Sequence, residues 1–203
     1  MRKALLWAAL LVLASTGQAA AQAWDAPTFF SPRQHDDLGV YVIFPDGGDV
    51  GVEGIWRQSG NLNLGVRLGV VDERVLLGAE FYNPIRLNQS PVLLSWLLGF
   101  GATFGDNVTW LRVPFGVSLG ANLGNTGGIQ ITPYVHPRVA LDVLAIDVGD
   151  EEQTDTDVNF DVDLGADVLL SPAWSLKFGA TVGESDAFGV GLAYRMQRRV
   201  VVR

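Results

Sequence analysis

Three features of the sequence predict an all-β chain that closes as an up-and-down antiparallel barrel of about ten strands across a membrane. Segment after segment alternates apolar and polar residues with period two, and the apolar face so defined carries no charged residue. After the N-terminal leader, no stretch reaches the ~18 uninterrupted apolar residues of a spanning helix; the nearest, 91–104, is broken by Ser95, Gly99, Gly101 and Thr103. Without such a helix, a chain satisfies its backbone groups in lipid only by closing a sheet on itself. The clearest segment is 158–170. There Val158, Phe160, Val162, Leu164, Ala166, Val168 and Leu170 alternate with Asn159, Asp161, Asp163, Gly165 and Asp167.

In chain order, Arg2 and Lys3 precede an apolar run at 4–14 and then small residues, the pattern of a secretory signal peptide. Cleavage is expected after Ala23, giving a leader at 1–23. Residues 24–37, with two prolines and no period, read as a periplasmic lead-in to a barrel at 38–203 that ends in a short basic tail. Candidate strands fall at about 38–44, 48–57, 61–71, 75–82, 92–104, 108–122, 129–146, 158–170, 174–183 and 187–196. Pro133 and Pro137 fall on the apolar face of the seventh, and Pro114 lies in its predecessor. A proline cannot donate to a ladder, so that strand starts near Arg138, extends past the membrane, or bulges. If its first half drops out and another pair merges, the number falls to eight.

Charge bounds the function. The chain carries −8 formally, about −10 once Arg2 and Lys3 are lost, which leaves no electrostatic footprint for nucleic acid. It has no cysteine, so disulfides do not hold it together. On the polar face, the acids Glu53, Glu80, Asp142, Asp161, Asp163 and Asp167 match the bases Arg57, Arg67, Arg112, Arg138, Lys177 and Arg195 one for one. Confined charges are costly unless paired and hydrogen-bonded, so the balance predicts a narrow lumen filled by a side-chain ion-pair network. Glycines on that face leave room for the arginines.

An export leader, alternating segments of about ten residues, short turns and an all-apolar outer face together resemble the small outer-membrane β-barrel proteins of Gram-negative bacteria. The last strand, with Gly191, Tyr194 and Met196, is similar to that family's C-terminal assembly signal. It departs by ending on Met196 in place of an aromatic and by continuing to Arg203. The resemblance implies periplasmic termini, loops after odd-numbered strands outside, and contact with outer-membrane lipid, lipopolysaccharide and, during insertion, the barrel-assembly machinery. It gives no oligomeric state.

Three sites offer chemistry. The acidic stretch with Asp147, Asp150, Glu151, Glu152, Asp155 and Asp157 reads as a solvated external loop. Its oxygens are of the kind that hold Ca²⁺ or Mg²⁺ or bridge to lipopolysaccharide phosphates, but the spacing does not match an EF-hand loop, and no cofactor is expected. His136, beside Tyr134, Arg138 and Asp142, has Ser118 on the neighbouring strand, the pairing used by outer-membrane lipid hydrolases. No oxyanion donors accompany it, so a histidine in a lumen network is the simpler reading. Asp161, Asp163 and Asp167 are too far apart along one strand for mutual acid–base work and read as partners of lumen arginines. Outward Trp56, Trp96 and Trp174 read as interfacial girdle residues. The expected function is that of a structural or surface-interaction protein, not an enzyme. The alternatives are a narrow, porin-like passive channel and a soluble exported β-sandwich binding protein.

Overall fold

The computed structural model describes residues 26–196 apart from 34, 35, 47, 48, 72, 89, 106, 107, 127, 149, 150 and 185. The leader at 1–23 and the basic tail from 197 lie outside the described residues. Ten strands form the wall: β1 Asp37–Pro45, β2 Gly51–Gln58, β3 Leu64–Val71, β4 Arg74–Ile85, β5 Val92–Gly105, β6 Val108–Ala121, β7 Ile129–Val148, β8 Glu151–Leu169, β9 Trp174–Gly183 and β10 Ala187–Arg195. A two-residue strand, Asn125–Thr126, pairs with the start of β7 inside the β6–β7 connection. Each strand pairs antiparallel with its chain neighbours and β1 pairs with β10, so the sheet closes with ten strands and not eight. One sheet closed on itself excludes a two-sheet sandwich.

The register sets the stagger. From Asp167 the paired positions run through Lys177, Gly191, Tyr41, Glu53, Gly69, Leu76, Thr103, Trp110 and Leu144 and return to β8 at Asp155. That offset of about twelve residues is the shear of the barrel and goes with the usual strand tilt of roughly 35–45°. It also explains the uneven strands. β9 ends opposite Asp161, whereas β8 continues to Glu151 against β7.

Alternation decides which side is which. On β1, Leu38, Val40 and Phe44 are exposed while Asp37, Tyr41 and Ile43 are buried. The same split runs round the wall, with Leu68, Leu77, Phe115, Val139, Phe160, Val182 and Leu192 all exposed. Soluble monomers rarely expose apolar patches above roughly a few hundred Å². A continuous apolar belt around a closed barrel is the surface of a protein that sits in lipid. Trp174 and Tyr194 meet edge to face at its chain-terminal rim, with ring centroids 5.2 Å apart.

Several boundaries differ from expectation. β2 and β3 start about three residues late, and β4 continues through Pro84. β8 begins at Glu151, about seven residues before 158. Aspartates are poor strand formers, but pairing with β7 in unbroken register carries the ladder through them. Pro114 and Pro137 cause neither a start nor a bulge. The ladders skip pairs beside them and resume in the same register on both sides. Gly99 accommodates Pro114, since a Cβ there would lie 2.8 Å from its ring.

The larger correction concerns the lead-in. Residues 26–33 do not lie outside the barrel but run within its lumen, with Ala26, Thr28, Phe29, Phe30 and Ser31 all buried. The physical reason is width. About eight strands give an interior that side chains just fill. Ten strands make it wider, and main chain occupies the difference.

Candidate functional site

The lumen is the candidate site, and its wall residues come from the inward positions of nearly every strand. Of the charged residues expected there, Glu53, Arg57, Arg67, Glu80, Arg112, Arg138, Asp142, Asp161, Asp163, Asp167 and Lys177 are buried, and Arg195 is half-buried. They fall into three groups.

The first joins β2, β3 and β4. Arg57 grips Glu80 through two nitrogens, Nε to Oε2 at 2.8 Å and Nη2 to Oε1 at 3.2 Å. Arg67 does the same with Glu53, at 2.6 and 2.7 Å, and reaches Glu80 at 3.3 Å. Paired, bidentate geometry is what lets a buried guanidinium offset its desolvation. The second group joins β6, β7 and β8. Arg112 Nη2 donates to Asp161 at 2.6 Å and its Nε lies 3.3 Å from Asp142. Arg138 bridges Asp163 and Asp161 at 3.3 and 3.5 Å, and Asn159 donates to Asp142 at 2.7 Å. The third group, near the chain-terminal rim, pairs Lys177 with Asp37. Asp167 stands opposite Lys177 in register.

Residues 26–33 thread between these groups. Arg57 donates to the carbonyls of Phe29 and Thr28, at 3.1 and 2.7 Å, and Arg67 reaches the Pro27 carbonyl at 3.4 Å. Ser118 Oγ donates to the Phe30 carbonyl (2.7 Å) and Ser95 Oγ to that of Pro32 (3.2 Å). On the opposite wall, Asp163 accepts from both the backbone N–H and the hydroxyl of Thr28, at 3.1 and 2.6 Å. Because the Thr28 proton goes to Asp163, His136 Nδ1, 2.8 Å from the same oxygen, carries its own proton and donates. Thr181 adds a further donor to Asp163 at 2.9 Å.

Apolar contacts match the polar ones. Phe29 stacks on Tyr41 with centroids 4.2 Å apart and belongs to a buried cluster with Ala26, Ile43 and Ile55. Phe30 packs with Tyr82 and Leu97. Wall glycines make the room. A Cβ at Gly189 would lie 2.5 Å from the Phe29 ring, at Gly179 2.7 Å from Pro27, and at Gly120 2.9 Å from Pro32. Phe29 holds φ of +48°, a left-handed conformation that is costly for a bulky residue. Its fixed ring and fixed carbonyl impose it. Away from the chain-terminal rim, Val71, Leu76 and Trp110 form a separate inward cluster with Leu144 against it. Among the described residues, one cavity with room for roughly one water lies beside Arg67, Glu80 and Arg112, and another beside Arg57, Asp37 and Lys177.

The other candidates look different in place. Ser118 and His136 are both fully buried, and they hydrogen-bond to Phe30 and Thr28 respectively, not to each other. The acidic stretch is mostly strand: Asp155 and Asp157 are exposed on the inward-facing register of β8, while Asp150 lies outside the described residues and of Glu151 and Glu152 only the backbone is described. Among the described residues no three His, Asp or Glu side chains are grouped closely enough to hold a metal ion. Of the residues expected to form an assembly signal, Gly191 faces the lumen under the Tyr41 ring, Tyr194 faces outward, and Met196 lies just past β10 with its N–H on the Asp36 carbonyl. Sequence reasoning missed Thr28, Phe29, Phe30, Ser95 and Thr181. The available signal was the excess of inward glycine, which left more space than the ion pairs fill.

No family model matches the chain, and no curated protein matches it. Solved structures of similar shape include the KdgM porin, 10% identical, covering 79% of this chain and 99% of that one with a TM-score of 0.45. They also include the N-terminal β-barrel domain of Pseudomonas aeruginosa OprF, at 11% identity, 80% and 98% coverage and a TM-score of 0.41. The outer membrane enzyme PagL matches at 10% identity, 79% and 99% coverage and a TM-score of 0.41.

Proposed function

We propose that this protein is an integral outer-membrane barrel with a structural or surface-facing role, non-enzymatic and sealed at rest. The observation that carries the reading is the main-chain segment 26–33 lying in the lumen, held by donors from β2, β3, β5 and β6 and by Asp163 of β8. A permeant solute would have to displace this segment together with two buried phenylalanines. The outward apolar belt supports residence in a bilayer, and the export pattern at 1–23 supports the outer membrane. On this reading its contacts are outer-membrane lipid and lipopolysaccharide, with the barrel-assembly machinery during insertion.

Planar-bilayer recording tests the sealed state. The intact chain is expected to insert without stepwise conductance, and to migrate differently on gels before and after boiling. Regular open-channel steps from the intact chain would replace this reading with that of a narrow passive channel.

A further inference from the structure

We propose that the lumen is a binding site for an aromatic, proline-flanked peptide, and that residues 26–33 are its exchangeable occupant. This rests on the sealed-barrel reading and deepens it.

The contacts are those by which a receptor holds a peptide. Apart from the threonine hydroxyl, the polar contacts that the described wall residues make with the segment go to its main chain: the carbonyls of Pro27, Thr28, Phe29, Phe30 and Pro32 and the N–H of Thr28. Main-chain hydrogen bonds of this kind supply affinity, and side-chain pockets supply selectivity. The pockets are present, since Gly179 and Gly189 open the wall where Pro27 and Phe29 sit and Gly120 opens it for Pro32. Proline at 27 and 32 removes two N–H donors that a strand-free lumen would otherwise have to satisfy. The wall's own ion pairs, Arg57–Glu80 and Arg67–Glu53, do not need the segment to be complete. A peptide leaving would therefore expose paired charges, and one entering would meet the same wall donors.

The test uses the full chain with a protease site inserted at 34–35, folded first and cut afterwards, so that folding never depends on an absent segment. A fluorescent synthetic peptide with the sequence of residues 26–33 is then added. Uptake of the label, competed by unlabelled peptide, is the expected result. A Thr28→Val peptide should bind about tenfold more weakly, because it loses a hydrogen bond to a buried carboxylate. A Gly189→Leu barrel, cut the same way, should keep its boiling-dependent mobility and fail to take up the peptide. No uptake by a cut barrel that still shows the mobility shift overturns the proposal, as does equal binding of the Thr28→Val peptide. Conductance separates the two readings. If washing out the cut segment opens a conductance that peptide never closes, the sealed barrel stands and this inference falls. If peptide binds while conductance is the same with the segment in or out, the inference stands and sealing by the segment falls.

Discussion

The two arginine groups of the lumen use the same chemistry and are completed differently. Among the described residues, Arg112 and Arg138 pair with carboxylates on β7 and β8, wall to wall. Arg57 and Arg67 pair with Glu80 and Glu53 and also donate to the carbonyls of residues 27–29. The first group braces the barrel. The second braces the barrel and holds the segment that fills it. Asp163 links them, accepting from Arg138 on one side and Thr28 on the other. Buried charge here does two jobs, and the difference lies in where the leftover hydrogen bonds go.

The largest expected effect comes from removing one arginine of each kind. Arg57→Ala and Arg112→Ala each take the closest base from a buried carboxylate, Glu80 and Asp161 respectively, at a cost of up to about 3–5 kcal/mol in urea unfolding from micelles or vesicles. Only Arg57→Ala also orphans the Thr28 and Phe29 carbonyls, so it alone should raise bilayer conductance. Conductance from both, or from neither, breaks the distinction. A smaller contrast pairs Thr28→Val with Asn159→Ala. Each removes a hydrogen bond to a buried aspartate, for about 1–3 kcal/mol, and only the first should let current through. Ser118→Ala should be the mildest, about 1 kcal/mol, because one neutral donor to the Phe30 carbonyl is lost. It is expected to leave the barrel sealed, since Ser95, Arg57 and Asp163 still hold the neighbouring residues.

The wall was legible because alternation is a local signal repeated in every strand. Leu38, Val40 and Phe44 fix the face of β1 with no knowledge of β10. Parity also fixed which charges point inward, so Arg112 and Asp161 could be placed on one surface before any contact between them was known. The register that brings them to 2.6 Å was not legible, because it depends on the stagger of all ten strands. The segment was missed for a different reason. Pro27 and Pro32 break any period, and Phe29 and Phe30 are adjacent and so cannot share a strand face. Its burial is dictated by cavity shape, a property of Gly179, Gly189 and Gly120 taken together across the barrel. The acidic start of β8 was missed because pairing with β7 outweighs the poor strand propensity of Asp155 and Asp157.

The central claim is that residues 26–33 lie inside the wall, and the absence of cysteine from the chain makes it directly testable. A Cβ on Gly179 would stand 2.7 Å from the Cβ of Pro27, close enough for a disulfide, whose Cβ atoms sit about 3.5–4.5 Å apart, after a small shift. Pro27→Cys combined with Gly179→Cys, oxidised in the folded barrel, is predicted to form that bond and to shift on a denaturing, non-reducing gel. Two free thiols in a barrel that still shows boiling-dependent mobility would contradict the account.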